Sequence, residues 1–252
     1  MLTEEDYDSL TRFRVRAMGA RLREMVDDPA WDDVCFEDKV HELIAAEAAA
    51  RESRKVQRLV REARFRDPSA CVEGVIYLPE RKPARDAVAR LATCRWVEDD
   101  EVLVIVAKSG GGKSYIAQAL GNAACRALYH VRYARLADML DELHRARDAG
   151  DGSYYAAMDA LKSVKLLILD DFLTTPIGTQ DAIDLFEIAE ARENRRATMV
   201  ASQLEPNEWY LRIEGELVAD STLNRIATRA RYLDVEGPNM REWLRDNAKT
   251  GD

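Results

Sequence analysis

Val102-Leu103-Val104-Ile105-Val106-Ala107-Lys108-Ser109-Gly110-Gly111-Gly112-Lys113-Ser114 decides the fold of this chain. The apolar run Val102 to Val106 predicts a buried strand, and the residues from Ser114 to Leu128 predict a helix, so the three glycines lie in a strand-to-helix loop. A triphosphate needs many N–H donors at close range, and glycine keeps the backbone bare enough to approach it. The helix N-terminus adds its positive dipole end. The stretch matches GxxxxGK[ST] except that Ala107 takes the first position, a substitution that costs little where φ is negative. Ser109, Gly110, Gly111, Gly112, Lys113, Ser114 and the adjoining Tyr115 are therefore candidate ATP contacts, with Lys113 on the outer phosphates and the Ser114 hydroxyl on Mg2+.

Leu166-Leu167-Ile168-Leu169-Asp170-Asp171 is an apolar strand ending in two carboxylates. In a parallel sheet those carboxylates fall at the edge that carries the glycine loop. Asp170 would hold the magnesium through water. Asp171 would orient or deprotonate the attacking water, or serve as an acidic cap of the loop that follows. Further short apolar runs at His130 to Ala134, Ala197 to Ala201 and Tyr232 to Val235 alternate with helical patterns. The alternation predicts an α/β fold with a parallel, helix-covered sheet over residues 101–252.

Upstream the texture is all-helical. Residues 3 to 26 carry Leu10, Phe13, Ala17, Met18, Leu22 and Met25 at helical spacing, and a second helix opens near Phe36 and runs toward Pro68. Residues 1–70 thus read as a small helical domain. Residues 71–100, with Pro79 and Pro83, read as a linker holding a short helix from Arg85 to Thr93.

A net charge of -9 argues against a protein that coats nucleic acid over its whole surface, though not against a local basic patch. Arg51, Arg54, Lys55, Arg58 and Arg61 form such a stripe on the second helix. It suits sequence-independent contact with DNA phosphates, or else a solvated face paired with Glu47, Glu52 and Glu62. Cys35, Cys71, Cys94 and Cys125 show no CxxC pair and are expected as reduced thiols. The acidic start Met1 to Asp6 and the lack of a long apolar stretch predict a cytoplasmic protein that does not enter membranes. His41, His130 and His144 lack the spacing of a zinc site.

Beyond the two strand-end motifs, Met199-Val200-Ala201-Ser202-Gln203-Leu204-Glu205-Pro206-Asn207-Glu208-Trp209 resembles the IstB group of ATPases. Asp220 to Arg225, reading DSTLNR, is similar to that group's DAxLDR-like stretch, and Gly237-Pro238-Asn239-Met240-Arg241 to its GxSMR-like ending. Leu91 to Trp96 and Glu47 to Arg54 extend the likeness over most of the chain. The resemblance implies an AAA+ P-loop NTPase core, Mg-dependent hydrolysis of ATP to ADP and phosphate, and assembly on duplex DNA to stimulate an insertion-sequence transposase. A DnaC-like replicative helicase loader and a nucleotide-gated scaffold with little turnover are the alternatives. The resemblance also implies that Ser202 and Gln203 sense the outer phosphate or attacking water. Arg225 would reach the nucleotide of a neighbouring copy in an ATP-bridged homo-oligomer, and Arg241 would act as a second sensor. Arg132, Arg135, Arg145 and Arg147 fall where initiator-type relatives touch DNA, although acidic residues alternate with them.

Overall fold

The computed structural model describes residues 2–79, 81–83 and 85–248. In chain order its elements are α1 (Glu4–Arg12), α2 (Arg16–Asp27), α3 (Phe36–Ala63), α4 (Arg85–Ala92), α5 (Arg95–Glu98), β1 (Val102–Ala107), α6 (Lys113–Arg126), β2 (Val131–Arg135), α7 (Leu136–Ala149), α8 (Ser153–Ser163), β3 (Leu166–Asp170), α9 (Thr179–Arg192), β4 (Ala197–Ser202), α10 (Glu216–Ala227), β5 (Arg231–Val235) and α11 (Met240–Ala248). Short 3-10 turns occupy Pro29–Trp31, Val72–Gly74 and Pro206–Arg212. The chain divides into two compact units, Met1–Arg58 and Leu59–Asp252, with the division inside α3.

In the first unit, the single helix expected over residues 3 to 26 is two helices. Arg14 adopts a left-handed conformation with φ 61°. The Val15 N–H donates to the Leu10 carbonyl at 3.0 Å and the Arg14 N–H to the Thr11 carbonyl at 3.0 Å. That pair of bonds is a Schellman closure, which satisfies carbonyls the helix end would otherwise leave bare. Nothing in the composition announces it, because glycine, the usual residue at this position, is replaced by arginine.

The second unit is built on a five-stranded sheet in the order β2-β3-β4-β1-β5, every neighbouring pair parallel. Each predicted strand is present within a residue or two of its expected bounds. Side chains alternate between faces. Leu103, Ile105, Leu166, Ile168, Met199 and Ala201 join one core, and Val104, Val106, Leu167, Leu169 and Val200 join the other. Helix α6 covers the first face; α7 to α10 supply the second core.

Residues 71–100 are not the linker the sequence suggested. Val75, Val88, Cys94, Trp96 and Val97 are buried in the first core, alongside Leu59, Ala63 and Phe65. The prolines at 79 and 83 punctuate a segment wrapped on the sheet, and apolar burial holds it there. All four cysteines are free thiols. Burial pushes Cys94 up to about 11 and Cys125 up to about 12. No helix among the described residues is long and apolar enough to cross a membrane.

Candidate functional site

Parallel strands deliver their carboxyl ends to one edge, and the register aligns Arg135 with Asp170 and Val106 with Ser202. At that edge a cleft of about 790 Å³ is lined by Ser109, Gly110, Gly112, Lys113, Ser114 and Tyr115 of the loop and α6. Arg81, Asp171, Gln203 and Arg241 line it from other segments. Gly110 and Gly112 have φ of 79° and 93°, conformations that an L side chain rarely adopts. Among the described residues the N–H groups of Gly112, Lys113 and Ser114 have no acceptor within the chain, so they are available to an anion. This bare donor cradle fits a phosphate group.

Lys113, with a side chain only 9% exposed, lies 3.5 Å from Asp171 Oδ1. The Arg135 Nε donates to Asp171 Oδ2 at 3.0 Å, and this bond raises the arginine's pKa. Asp171 is thereby held between two cations, at a left-handed backbone position of φ 49°. Asp170 is 1% exposed. Its Oδ1 accepts the Asp171 N–H at 2.8 Å and its Oδ2 accepts the Tyr133 hydroxyl at 2.7 Å. Burial, with the Asp170 charge beside it, pushes the Tyr133 phenol far above its ordinary value, so it remains a donor.

Several groups at the cleft escaped the sequence reading. The Arg81 guanidinium donates to the Gly111 carbonyl at 2.8 Å and also to the Ile76 carbonyl. Burial lowers its pKa. A Cβ on Gly112 would come within 2.6 Å of its Nη2, and one on Gly237 within 2.9 Å of its Cγ. Asn239 lies over Gly110, and the Met240 N–H donates to the Gly110 carbonyl at 2.8 Å. Residues 81 and 239 are distant from the loop in sequence, and only the fold brings them onto it.

Other expected site residues are placed differently. Ser202 is fully buried. Its hydroxyl donates to the Phe172 carbonyl at 2.8 Å and accepts from the Leu204 N–H at 3.1 Å and the Trp209 indole at 3.2 Å. It braces the turn after β4, and of the expected sensor pair only Gln203 lines the cleft. Arg225 lies outside its own cleft. It pairs with Glu190 at 3.4 Å and Glu193 at 3.2 Å, and stacks on Phe186.

Of the core arginines expected at DNA, Arg132 binds Glu142 at 2.7 Å and Arg135 binds Asp171. Arg147 reaches both oxygens of the fully buried Asp184 at 2.7 and 2.6 Å. These three are committed to internal carboxylates, whereas Arg145 is exposed. On α3, Arg51 and Arg54 share Glu47 at 2.9 and 3.1 Å, and Lys55 and Arg58 are exposed.

A parallel sheet of this strand order, with a glycine loop cradling the N-terminus of α6 and acidic residues ending β3, defines an AAA+ P-loop protein. Solved structures share that fold. AMPPCP-bound DnaA from Aquifex aeolicus superposes with TM-score 0.59 at 20% identity, over 75% of this chain and 57% of its own. DnaI gives TM-score 0.56 at 18% identity, over 73% of this chain and 93% of that one. Residues 9–248 match the family described as IstB-like ATP binding protein, and the chain belongs to that family. A relative in Sinorhizobium fredii, the insertion sequence ATP-binding protein y4pL, is 33% identical over 241 residues, 96% of this chain and 97% of its own length.

Proposed function

We propose that this protein is an ATP-dependent helper ATPase of the cytoplasm that assembles on duplex target DNA and stimulates an insertion-sequence transposase. The observation that carries the reading is the cleft itself, where free N–H donors of the glycine loop, Lys113 and Asp171, just past the end of β3, converge. Membership of a family with relatives named as insertion-sequence ATP-binding proteins supports the biological setting.

Bound ATP with Mg2+ supplies the transferable phosphoryl group and the metal's charge. Ser114 would hold the metal directly and the buried Asp170 would hold it through water, a hydroxyl and a carboxylate being the sparse oxygen set that magnesium takes beside phosphates. Lys113 exchanges its contact with Asp171 for the outer phosphates. Asp171, freed at Oδ1 and still held at Oδ2 by Arg135, accepts a proton from the attacking water, which Gln203 orients. Arg81, a half-buried cation, turns from the Gly111 carbonyl toward the phosphates. Arg225 of a neighbouring copy leaves Glu190 and Glu193 to neutralise charge developing in transfer, which makes turnover depend on a homo-oligomer bridged by ATP. Arg241 serves as the second sensor from the cleft wall.

The clasp of Asp171 between Lys113 and Arg135 favours one second reading, a nucleotide-gated scaffold with little turnover. One assay decides both. Phosphate release is measured with and without duplex DNA, for the wild-type protein and for Lys113→Ala. The helper ATPase requires DNA-stimulated release that Lys113→Ala abolishes, together with loss of ATP binding. ATP-dependent assembly without release establishes the scaffold, and undiminished ATP binding by Lys113→Ala overturns the cleft assignment.

A further inference from the structure

Outside the ATP cleft, the first unit holds a groove of about 580 Å³ lined by Thr11, Arg14, Arg16, Arg51 and Arg54. Four arginines line it, and among the described residues their one recorded carboxylate partner is Glu47. Glu47 is spent inside the structure. Its side chain is 6% exposed, Oε1 accepts Arg51 Nε at 2.9 Å and Arg54 Nη2 at 3.1 Å, and Oε2 accepts the Ala17 N–H at 3.0 Å. Arg51 also donates to the Arg14 carbonyl at 3.3 Å.

This carboxylate sets the geometry. It fixes Arg51 and Arg54 in the middle of α3 while leaving their side chains 60% and 54% exposed, so each retains free N–H groups. Arg14 and Arg16 have no recorded hydrogen-bond or ion-pair partner for their side chains among the described residues. The Schellman closure between α1 and α2 projects Arg14 here, and Arg16 opens α2, a 12-residue helix whose N-terminus favours negative charge. Glu47 demonstrates that preference. Its carboxyl, held chiefly by Arg51 and by backbone N–H groups at the start of α2, lies below the ordinary glutamate range.

We propose that the Arg14–Arg16–Arg51–Arg54 groove is a phosphate-binding site for the backbone of duplex DNA. Guanidinium forks match phosphate oxygens in paired hydrogen bonds. The lining contains no aromatic side chain on which a base could stack, and its four arginines favour the phosphodiester over the base. An open groove with excess cation, in a chain of net charge -9, suits a continuous polyanion. The stripe seen in the sequence contributes Arg51 and Arg54; Arg14 and Arg16 are added by the fold.

The inference rests on the reading that this protein binds duplex DNA, and the experiment separates the two. A labelled duplex of mixed sequence is titrated with the full chain plus ATP across a sodium chloride series. The variants are Arg16→Gln, Arg14→Asn with Arg16→Gln, and Arg14→Lys with Arg16→Lys. Asparagine tolerates the left-handed backbone at position 14, and glutamine suits a helix start. Each lost phosphate contact lowers the slope of log affinity against log salt by about 0.9, so Arg16→Gln loses about one and the double neutral variant about two. The lysine variant retains the wild-type slope. ATP turnover without DNA is unchanged throughout. Wild-type slope and affinity in both neutral variants overturn the groove while leaving DNA binding intact. Failure of the wild-type protein to bind the duplex at low salt overturns the groove together with the reading beneath it.

Discussion

Arginines in two regions of this protein look alike in sequence and differ in what holds them. On β2 and α7, Arg132, Arg135 and Arg147 each meet a carboxylate of the same unit, Glu142, Asp171 and Asp184. In the first unit, Arg51 and Arg54 divide one carboxylate between them, and Arg14 and Arg16 have no recorded share of it. The difference teaches that a basic stripe becomes a basic surface only where internal acids do not consume it. In the second unit the charges stabilise and position; in the first they remain available.

The largest expected effect that could break this contrast is at Arg147. Asp184 is fully buried and also accepts the Tyr154 hydroxyl at 2.9 Å and Gln180 at 3.2 Å, but among the described residues only Arg147 balances its charge. Arg147→Ala should destabilise folding by about 3–5 kcal/mol, read from urea unfolding, because it strands a buried carboxylate. A loss below about 1 kcal/mol would make Arg147 an ordinary surface charge.

A smaller effect sharpens the other side. Because Glu47 titrates below its ordinary value of 4.5, its contribution is fully present above that pH and fades as pH falls through the lowered value. Glu47→Gln should remove this acid-dependent loss of stability from thermal melts while making the groove more cationic and duplex binding no weaker. An unchanged acid profile would show that Glu47 does not organise Arg51 and Arg54.

The smallest effect is at Arg145. Exposed on α7 with no recorded ion pair among the described residues, it should change stability by no more than about 0.5 kcal/mol when replaced by alanine. A larger loss would extend the internal pairing of α7 to every arginine on it.

How much was legible followed from how local each feature is. The glycine loop, the Asp170-Asp171 strand end and all five strands could be read in advance, since each depends on a short run of residues and its period. Ser202 was misread for the opposite reason. Its hydroxyl is claimed by Phe172, Leu204 and Trp209, and no neighbouring residue in sequence reveals that the turn after β4 folds back on it. The segment 71–100 was read as a linker from its prolines, yet burial of Val75, Val88 and Trp96 outweighs the punctuation.

The sequence by itself determined the glycine loop, the parallel sheet and the edge on which they meet, because strand period, glycine backbone freedom and helix initiation are properties of neighbouring residues. Tertiary structure alone decided that Arg81 and Asn239 lie on that loop and that Tyr133 holds Asp170. It also decided which arginines face internal acids and which face a groove. Those outcomes depend on charges and hydrogen-bond partners brought together from distant positions, where desolvation and pairing, not composition, set what each side chain can still bind.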